Sequence, residues 1–297
     1  MNFTEKVKLE MAADMPNPRH CRLAELGGIM SVLAKYAGMD ENLVIYSENE
    51  LVLKTTEKLI NKIFPVDNAE RIIYDIKRII FPTMEKEEIF KAVKLDCVSL
   101  TADPVLYTMT CCKRAFLKGV FLSAGSLTDP NKDYHFEISL SKEELALIIK
   151  DILCGFEADA KVVRRKKQFV VYVKDSEMIS EILNIMGAPV AMMELENVRI
   201  LKDVRNHVNR QVNCDAANIK KALAASQKQL EDIALIRAKK EFDSLTEELK
   251  EVADLRERYP EATLSELVVY NGETVGKSGI NHRLKKLSGI ADKLREC

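Results

Sequence analysis

The run "VGKSGINHRLKKL" near the C-terminus gathers side chains that can bind an anion. Lys277, Arg283, Lys285 and Lys286 are cationic, and Ser278, Asn281 and His282 add polar groups between them. Ammonium and guanidinium groups hold phosphate oxygens, whereas Asn, His and Arg can reach base edges in a major groove. Residues 241–273 carry three basic side chains (Lys250, Arg256, Arg258) against ten acidic ones. Residues 274–297 carry six basic side chains against two acidic ones, Asp292 and Glu296. A solvated helix face also holds Lys and Arg, but this contrast between neighbouring segments favours a helix offered to DNA.

A second basic cluster, Lys161 with Arg164, Arg165, Lys166 and Lys167, falls at the turn of the expected hairpin "AKVVRRKKQFVVYVKD". Turns are also charged for solubility alone. A second DNA surface and a solvated turn therefore both stay open on these residues.

Bond-breaking chemistry is harder to assemble. Hydrolysis needs carboxylates converging on a metal, or a nucleophile beside a base. No P-loop, GxSxG or HExxH occurs, and Asp129 reads as a turn residue before Pro130. A metal-dependent nuclease would need displaced ligands such as Asp129 or Asp133. The seven cysteines (21, 97, 111, 112, 154, 214, 297) form no CxxC pair, and the four histidines (20, 135, 207, 282) are scattered. Zinc-ligand spacing is absent, so these residues are expected to be reduced and structural, with no metal or cofactor.

The elements that must position the basic run are legible. Ser244 and Glu247 have capping-box spacing and open "SLTEELKEVADLRERY"; Thr263 and Glu266 repeat the signal before "LSELVVY". "NGETVG" is the turn, and a third helix starts near Ser278 with Ile280, Leu284, Leu287, Ala291 and Leu294 on one face. Three helices with a short second one make a helix-turn-helix. Upstream, Val208, Val212, Ile219, Leu223, Leu230, Ile233 and Ile236 have mostly helical spacing, which predicts a long linking helix from Asn206.

Further towards the N-terminus the chain repeats itself. "RLAELGGIMSVLAK" (22–35) can be laid on "KRAFLKGVFLSAGS" (113–126), matching Ala24 with Ala115, Leu26 with Leu117 and Gly28 with Gly119. A glycine inside a helix costs about 1 kcal/mol relative to alanine, so close approach of two helices is the expected reason. After the first helix, "NLVIYSEN" and "ELVLKT" read as two strands before the helical "TEKLINKIF". After the second come the strand "YHFEISL", the helix "SKEELALIIKDILCGF" with Ser141 and Glu144 in capping-box spacing, the hairpin, and the helix "SEMISEILNIMGA". Residues 1 to about 200 are read as two copies of an αββαββα unit related by a pseudo-twofold axis.

At 297 residues the chain has room for two modest domains or for one large domain with an appendage, and 47% hydrophobic and 31% charged residues suit a soluble globular protein. The net charge of −1 excludes a global attraction to polyanions, leaving local patches to do that work. The N-terminal "MNFTEKVKLEM" has no signal-type apolar core, and the apolar stretch 26–34 is too short to cross a bilayer.

Paired helices with a small-residue face, each followed by strands, resemble the LAGLIDADG homing-endonuclease fold, and "FLKGVFLSAGS" is similar to its signature. With the linker "VNRQVNCDAANIKK" and the run "VGKSGINHRLKKL", the whole chain resembles the WhiA family of bacterial DNA-binding regulators. Homing enzymes hold a metal-binding acid at the end of each central helix; this sequence has Leu33 and Ala124 there, so cleavage is not carried over. The hairpin at 164–167 corresponds to strands that homing enzymes lay along DNA, which favours its DNA reading.

The expectation is an α+β fold: a two-repeat LAGLIDADG-like saddle followed by an all-α helix-turn-helix domain. Its segments are 1–105 (N-terminal segment and first repeat), 106–205 (second repeat), 206–240 (helical linker) and 241–297 (DNA-binding domain). The resemblance implies a non-enzymatic, cytoplasmic, nucleoid-associated transcription regulator that binds a double-stranded promoter element. Its expected sphere is cell division, chromosome segregation and, in some bacteria, sporulation. The alternative is an adaptor whose saddle binds RNA polymerase or another transcription factor.

Overall fold

Gly28 and Gly119 sit where two helices touch backbone to backbone, and the N-terminal unit is built around that crossing. The computed structural model describes residues 1–35, 42–64, 72–96 and 98–296, with the backbone alone at 83–86. Cys97 and Cys297 lie outside the described residues. The chain divides into two compact units, Met1–Lys202 and Asp203–Cys297.

In the first unit, α1 (Phe3–Ala13) precedes two copies of one element order. The first copy runs α2 (Arg19–Leu33), β1 (Ala34–Lys35), β2 (Leu43–Tyr46), α3 (Glu50–Ile63), β3 (Ile73–Asp75), β4 (Arg78–Phe81) and α4 (Thr83–Val93). The second runs α5 (Thr110–Ala124), β5 (Gly125–Leu127), β6 (Phe136–Leu140), α6 (Glu143–Cys154), β7 (Lys161–Arg165), β8 (Gln168–Val173) and α7 (Ser176–Ile185). Each copy makes a four-stranded antiparallel sheet with the same strand order, β1-β2-β4-β3 and β5-β6-β8-β7. This is the αββαββα repeat expected, and it extends through residues 72–93, where the sequence echo is weak.

The glycines explain the pairing of α2 with α5. A β-carbon on Gly28 would lie 2.4 Å from the carbonyl oxygen of Phe116, and one on Gly119 would lie 2.2 Å from that of Glu25. Any side chain at either position pushes the helices apart. Around this crossing one apolar core takes in Leu26, Ile29 and Met30 of α2 and Phe116, Val120 and Phe121 of α5. The sheets cover it with alternate residues: Phe136, Ile138 and Leu140 of β6 are buried, while Glu137 and Ser139 face outward.

Two charged groups lie inside this core. Glu25 and Lys118 are 1% and 4% exposed, with Oε2 and Nζ 3.5 Å apart. Lys118 also donates to the main-chain oxygen of Asp14. Burial pushes the Glu25 carboxyl up to about 7, and the Lys118 ammonium pulls against that shift.

Several local expectations are corrected. "ELVLKT" is not a strand but the opening of α3: Asn49 caps it by accepting from the Leu51 N–H at 3.0 Å, and Val52, Leu53, Leu59, Ile60 and Ile63 are buried at helical spacing. The box at Ser141 and Glu144 does not form, because Lys142 is the cap residue; Glu144 instead accepts from Thr101 Oγ1 at 3.2 Å. The box at Ser244 and Glu247 does not form either, since Thr246 is the cap and Ser244 turns back onto Glu241. In both cases the helix starts later than the motif spacing implies.

The linking helix, α8 (Pro189–Ala238), runs 50 residues without interruption and begins well before Asn206. Pro189 suits its first position, and the Glu10 carboxylate accepts from the N–H groups of Val190 and Ala191 at 2.6 and 2.9 Å. Of its predicted apolar residues, Val208, Val212, Ile219 and Leu223 are exposed, whereas Ile233 and Ile236 enter the core of the second unit. Among the described residues no helix is long and apolar enough to cross a membrane.

The second unit adds α9 (Glu247–Arg258), α10 (Leu264–Tyr270) and α11 (Lys277–Glu296) to the end of α8. Its core joins Ile233, Ile236, Leu245, Val252, Ala253, Leu267, Ile280, Leu284, Leu287 and Ala291.

Candidate nucleic-acid interface

The turn before α11 needs a left-handed backbone at Gly272 and Glu273, with φ of +67° and +58°. Thr274 Oγ1 closes it by donating to the Asn271 carbonyl at 3.0 Å. Thr263 and Glu266 form the expected reciprocal box at the start of α10 (2.7 and 3.3 Å). Arg256, 2% exposed, donates to the Ala262 carbonyl at 2.6 Å and fixes the loop between α9 and α10. The rings of Tyr259 and Tyr270 stack at 4.1 Å across the same corner. These interactions hold the short helix that in turn sets the angle of α11.

On α11, Ile280, Leu284, Leu287 and Ala291 are buried, and Leu294 is partly buried beside them. Ser278, His282, Lys285, Lys286, Gly289 and Lys293 recur at helical spacing on the opposite, exposed face. Lys277 is exposed at the first position, and Asn281 is half-buried at the edge. Arg283 is placed differently: its side chain is 18% exposed and its guanidinium pairs with Glu248 of α9 at 3.2 Å. It ties α11 to the acidic helix. Arg237 gathers Asp254 and Glu257 of α9 at 2.6 and 2.8 Å, so part of that acidity is neutralised within the unit.

The second basic cluster lies at the β7–β8 hairpin, whose turn is Lys166 (φ +55°) and Lys167. All four residues from Arg164 to Lys167 are exposed. Arg164 rests over the Phe169 ring at 5.7 Å, and Arg165 reaches Glu137 at 3.5 Å. Glu137 also meets His135 Nε2 at 3.2 Å, so the outward sheet face carries an acid among its bases.

The central helices end at Leu33 and Ala124, where each chain passes directly into a strand. Asp129 accepts from the Asn131 N–H and side chain at 2.9 and 3.0 Å, which hold its carboxyl below the usual range. Asp133 accepts from the Tyr134 N–H at 2.8 Å. Both are turn-forming residues. Sequence spacing did not anticipate a cluster at the other end of the central helices, where His20, Cys21, Cys111 and Cys112 bring their ligand atoms within 4.8 Å of one another. The signal was available: continuing the 22–35 and 113–126 alignment two residues upstream lays His20–Cys21 on Cys111–Cys112.

Comparison with known proteins fits this geometry. Residues 113–205 match the model of the WhiA LAGLIDADG-like domain, and residues 208–291 that of the WhiA C-terminal HTH domain. A relative from Lachnoclostridium phytofermentans, called probable cell division protein WhiA, is 44% identical over the full length of both chains. The chain belongs to the WhiA family. A relative of the same description from Lachnospira eligens is 38% identical over 100% of this chain and 98% of its own. The crystal structure of full-length DUF199/WhiA from Thermatoga maritima covers 99% of each chain at 25% identity and a TM-score of 0.60. In this family the two-sheet unit is thus a LAGLIDADG-like domain and α9–α11 belong to its HTH region.

Proposed function

We propose that the protein is a non-enzymatic transcription regulator that binds double-stranded promoter DNA through α11. The observation that carries this reading is the exposed face of that helix. It presents Ser278, His282, Lys285, Lys286 and Lys293 opposite a buried apolar stripe, in a helix-turn-helix whose first helix, α9, is acidic. Lys285 and Lys286 would hold phosphates, with Lys277 alongside at the start of the helix. Asn281 and His282 are the base-edge candidates. Arg283 would contribute to DNA only by giving up Glu248.

The names of the relatives support a role in cell division. Control of chromosome segregation and, in some bacteria, sporulation are proposed with it, as is a place in the cytoplasm at the nucleoid. No cleavage is proposed, since Leu33 and Ala124 offer no carboxylate where the central helices end. A plasmid-nicking assay with magnesium and with manganese should stay blank; sustained metal-dependent nicking would overturn that part.

One observation favours a second reading for the saddle alone. Glu137, on the outward face of its second sheet, opposes phosphate. That suits a sheet binding protein, such as RNA polymerase or another transcription factor, with Arg164, Arg165, Lys166 and Lys167 as its basic rim. Replacing Lys166 and Lys167 with alanine in the full chain separates the two: weaker DNA binding assigns the hairpin to DNA, and unchanged binding assigns it to protein.

A further inference from the structure

We propose that His20, Cys21, Cys111 and Cys112 form a tetrahedral site for one zinc ion, or a comparable soft divalent cation, that clamps the N-terminal ends of α2 and α5 together. No carboxylate belongs to this cluster, and nothing in the proposed DNA binding uses it.

Distance is the first argument. His20 Nδ1 lies 3.1 Å from Cys112 Sγ and 3.3 Å from Cys21 Sγ, and all four ligand atoms fall within 4.8 Å of one another. Zinc bonds of about 2.3 Å to sulfur and 2.0 Å to nitrogen put tetrahedral ligands roughly 3.5–3.8 Å apart. The four atoms need only small side-chain rotations to surround a single ion. Three thiolates and one imidazole are a donor set that soft cations select over magnesium or calcium.

The second argument is where the fold puts them. His20 and Cys21 are the second and third residues of α2, and Cys111 and Cys112 those of α5. The pseudo-twofold relation that pairs Gly28 with Gly119 therefore pairs these dipeptides as well. Each repeat supplies half of the site. All four residues thus lie in the first turn of their helices, where the partial positive charge of a helix suits a site of net negative charge.

The third argument is charge. Cys21 and Cys112 are buried, and the Cys111 thiol lies within 4.8 Å of both. Neutral thiols crowded in this way gain little from one another, whereas a divalent ion turns all three into ligands. Binding sends the three thiol protons to solvent, while His20 ligates as neutral imidazole through Nδ1 and keeps its proton on Nε2. The complex carries one net negative charge, held at two helix N-termini. His20 and Cys111 are exposed, so the ion can enter from solvent, while Cys21 and Cys112 anchor it from within.

The test uses the reduced full-length chain, purified without chelator and reconstituted with zinc, then with cobalt(II) as a spectroscopic probe. Elemental analysis should give about one zinc per chain, and cobalt should show the intense visible bands of a tetrahedral thiolate site. Cys111→Ser changes an exposed residue, so its fold can be checked by circular dichroism. It should weaken zinc binding roughly tenfold or more and diminish the cobalt spectrum. The Cys154→Ser/Cys214→Ser variant should bind like the parent. The proposal is overturned by less than a tenth of an equivalent of metal after reconstitution. Binding unchanged in Cys111→Ser, binding abolished in the Cys154/Cys214 variant, or a Cys21–Cys112 disulfide in freshly isolated protein would also overturn it.

Discussion

Gly119 packs against the carbonyl of Glu25 so tightly that a β-carbon at residue 119 would lie 2.2 Å from that oxygen. Gly28 stands in the same relation to Phe116, at 2.4 Å. Both neighbours are helix backbone, which cannot rotate away as a side chain can. Gly28→Ala and Gly119→Ala should each destabilise the N-terminal unit by about 3 kcal/mol or more, beyond the usual range for one added methyl in a core. Gly289→Ala is the control, because nothing lies within 4 Å of its β-carbon and it sits inside α11. It should stabilise its unit by about 1 kcal/mol. Thermal unfolding followed by circular dichroism reads all three, and a harmless Gly119→Ala would remove the glycine argument.

The buried Glu25 makes stability fall as pH rises. Its carboxyl titrates near 4.5 in an unfolded chain and at about 7 in the fold. Below pH 4.5 both states hold the proton; between 4.5 and 7 the folded state holds it more tightly, so raising the pH favours unfolding. The decline across that window is on the order of 2–3 kcal/mol. Glu25→Gln should flatten this part of the profile. Urea titrations at stepped pH decide it, and parallel curves for variant and parent would contradict the assignment.

Thr263 and Glu266 cap α10, and through it set α11. Thr263→Ala removes the hydroxyl that accepts from the Glu266 N–H and should cost about 1 kcal/mol of stability in the C-terminal unit. Ser244→Ala, by contrast, should be close to neutral, because Ser244 does not cap α9. Equal effects in the two variants would show that the cap positions are misassigned.

Arg283 and Lys286 should separate by readout. Arg283 is committed to Glu248, itself 71% exposed, and an ion pair of that kind contributes about 1 kcal/mol or less. Arg283→Ala should therefore lower stability slightly and change the salt dependence of DNA binding little. Lys286→Ala should do the reverse. Matching salt slopes for the two variants would place Arg283 on the DNA after all.

Much of the fold is legible in local sequence. The apolar stripe of α11 could be read directly, because Ile280, Leu284, Leu287 and Ala291 keep helical spacing with no competing signal. Gly28 and Gly119 marked a helix crossing because each breaks its helix's own propensity. What failed depended on tertiary context. "ELVLKT" is rich in apolar and β-branched residues and reads as a strand until Asn49 caps it, when Leu53, Leu59 and Ile60 find one buried face. Two capping boxes failed because spacing alone does not say which residue leaves the helical region first. The pairing of Arg283 with Glu248 could not be read locally, since the two are 35 positions apart in sequence and adjacent only in the fold. The His20–Cys112 cluster was invisible to spacing rules for the same reason: its halves come from different repeats.

The central claim is that α11 holds DNA, and its hold on phosphate is the most direct handle on that. Fluorescence anisotropy of the full-length chain on a random-sequence duplex, at stepped salt, measures that hold without knowledge of the target. The parent should bind with a steep salt dependence. Lys285→Ala/Lys286→Ala should bind more weakly with a log–log slope shallower by about 2, because two ammonium groups no longer displace counterions from phosphates. Unchanged affinity and slope in that variant would contradict the account.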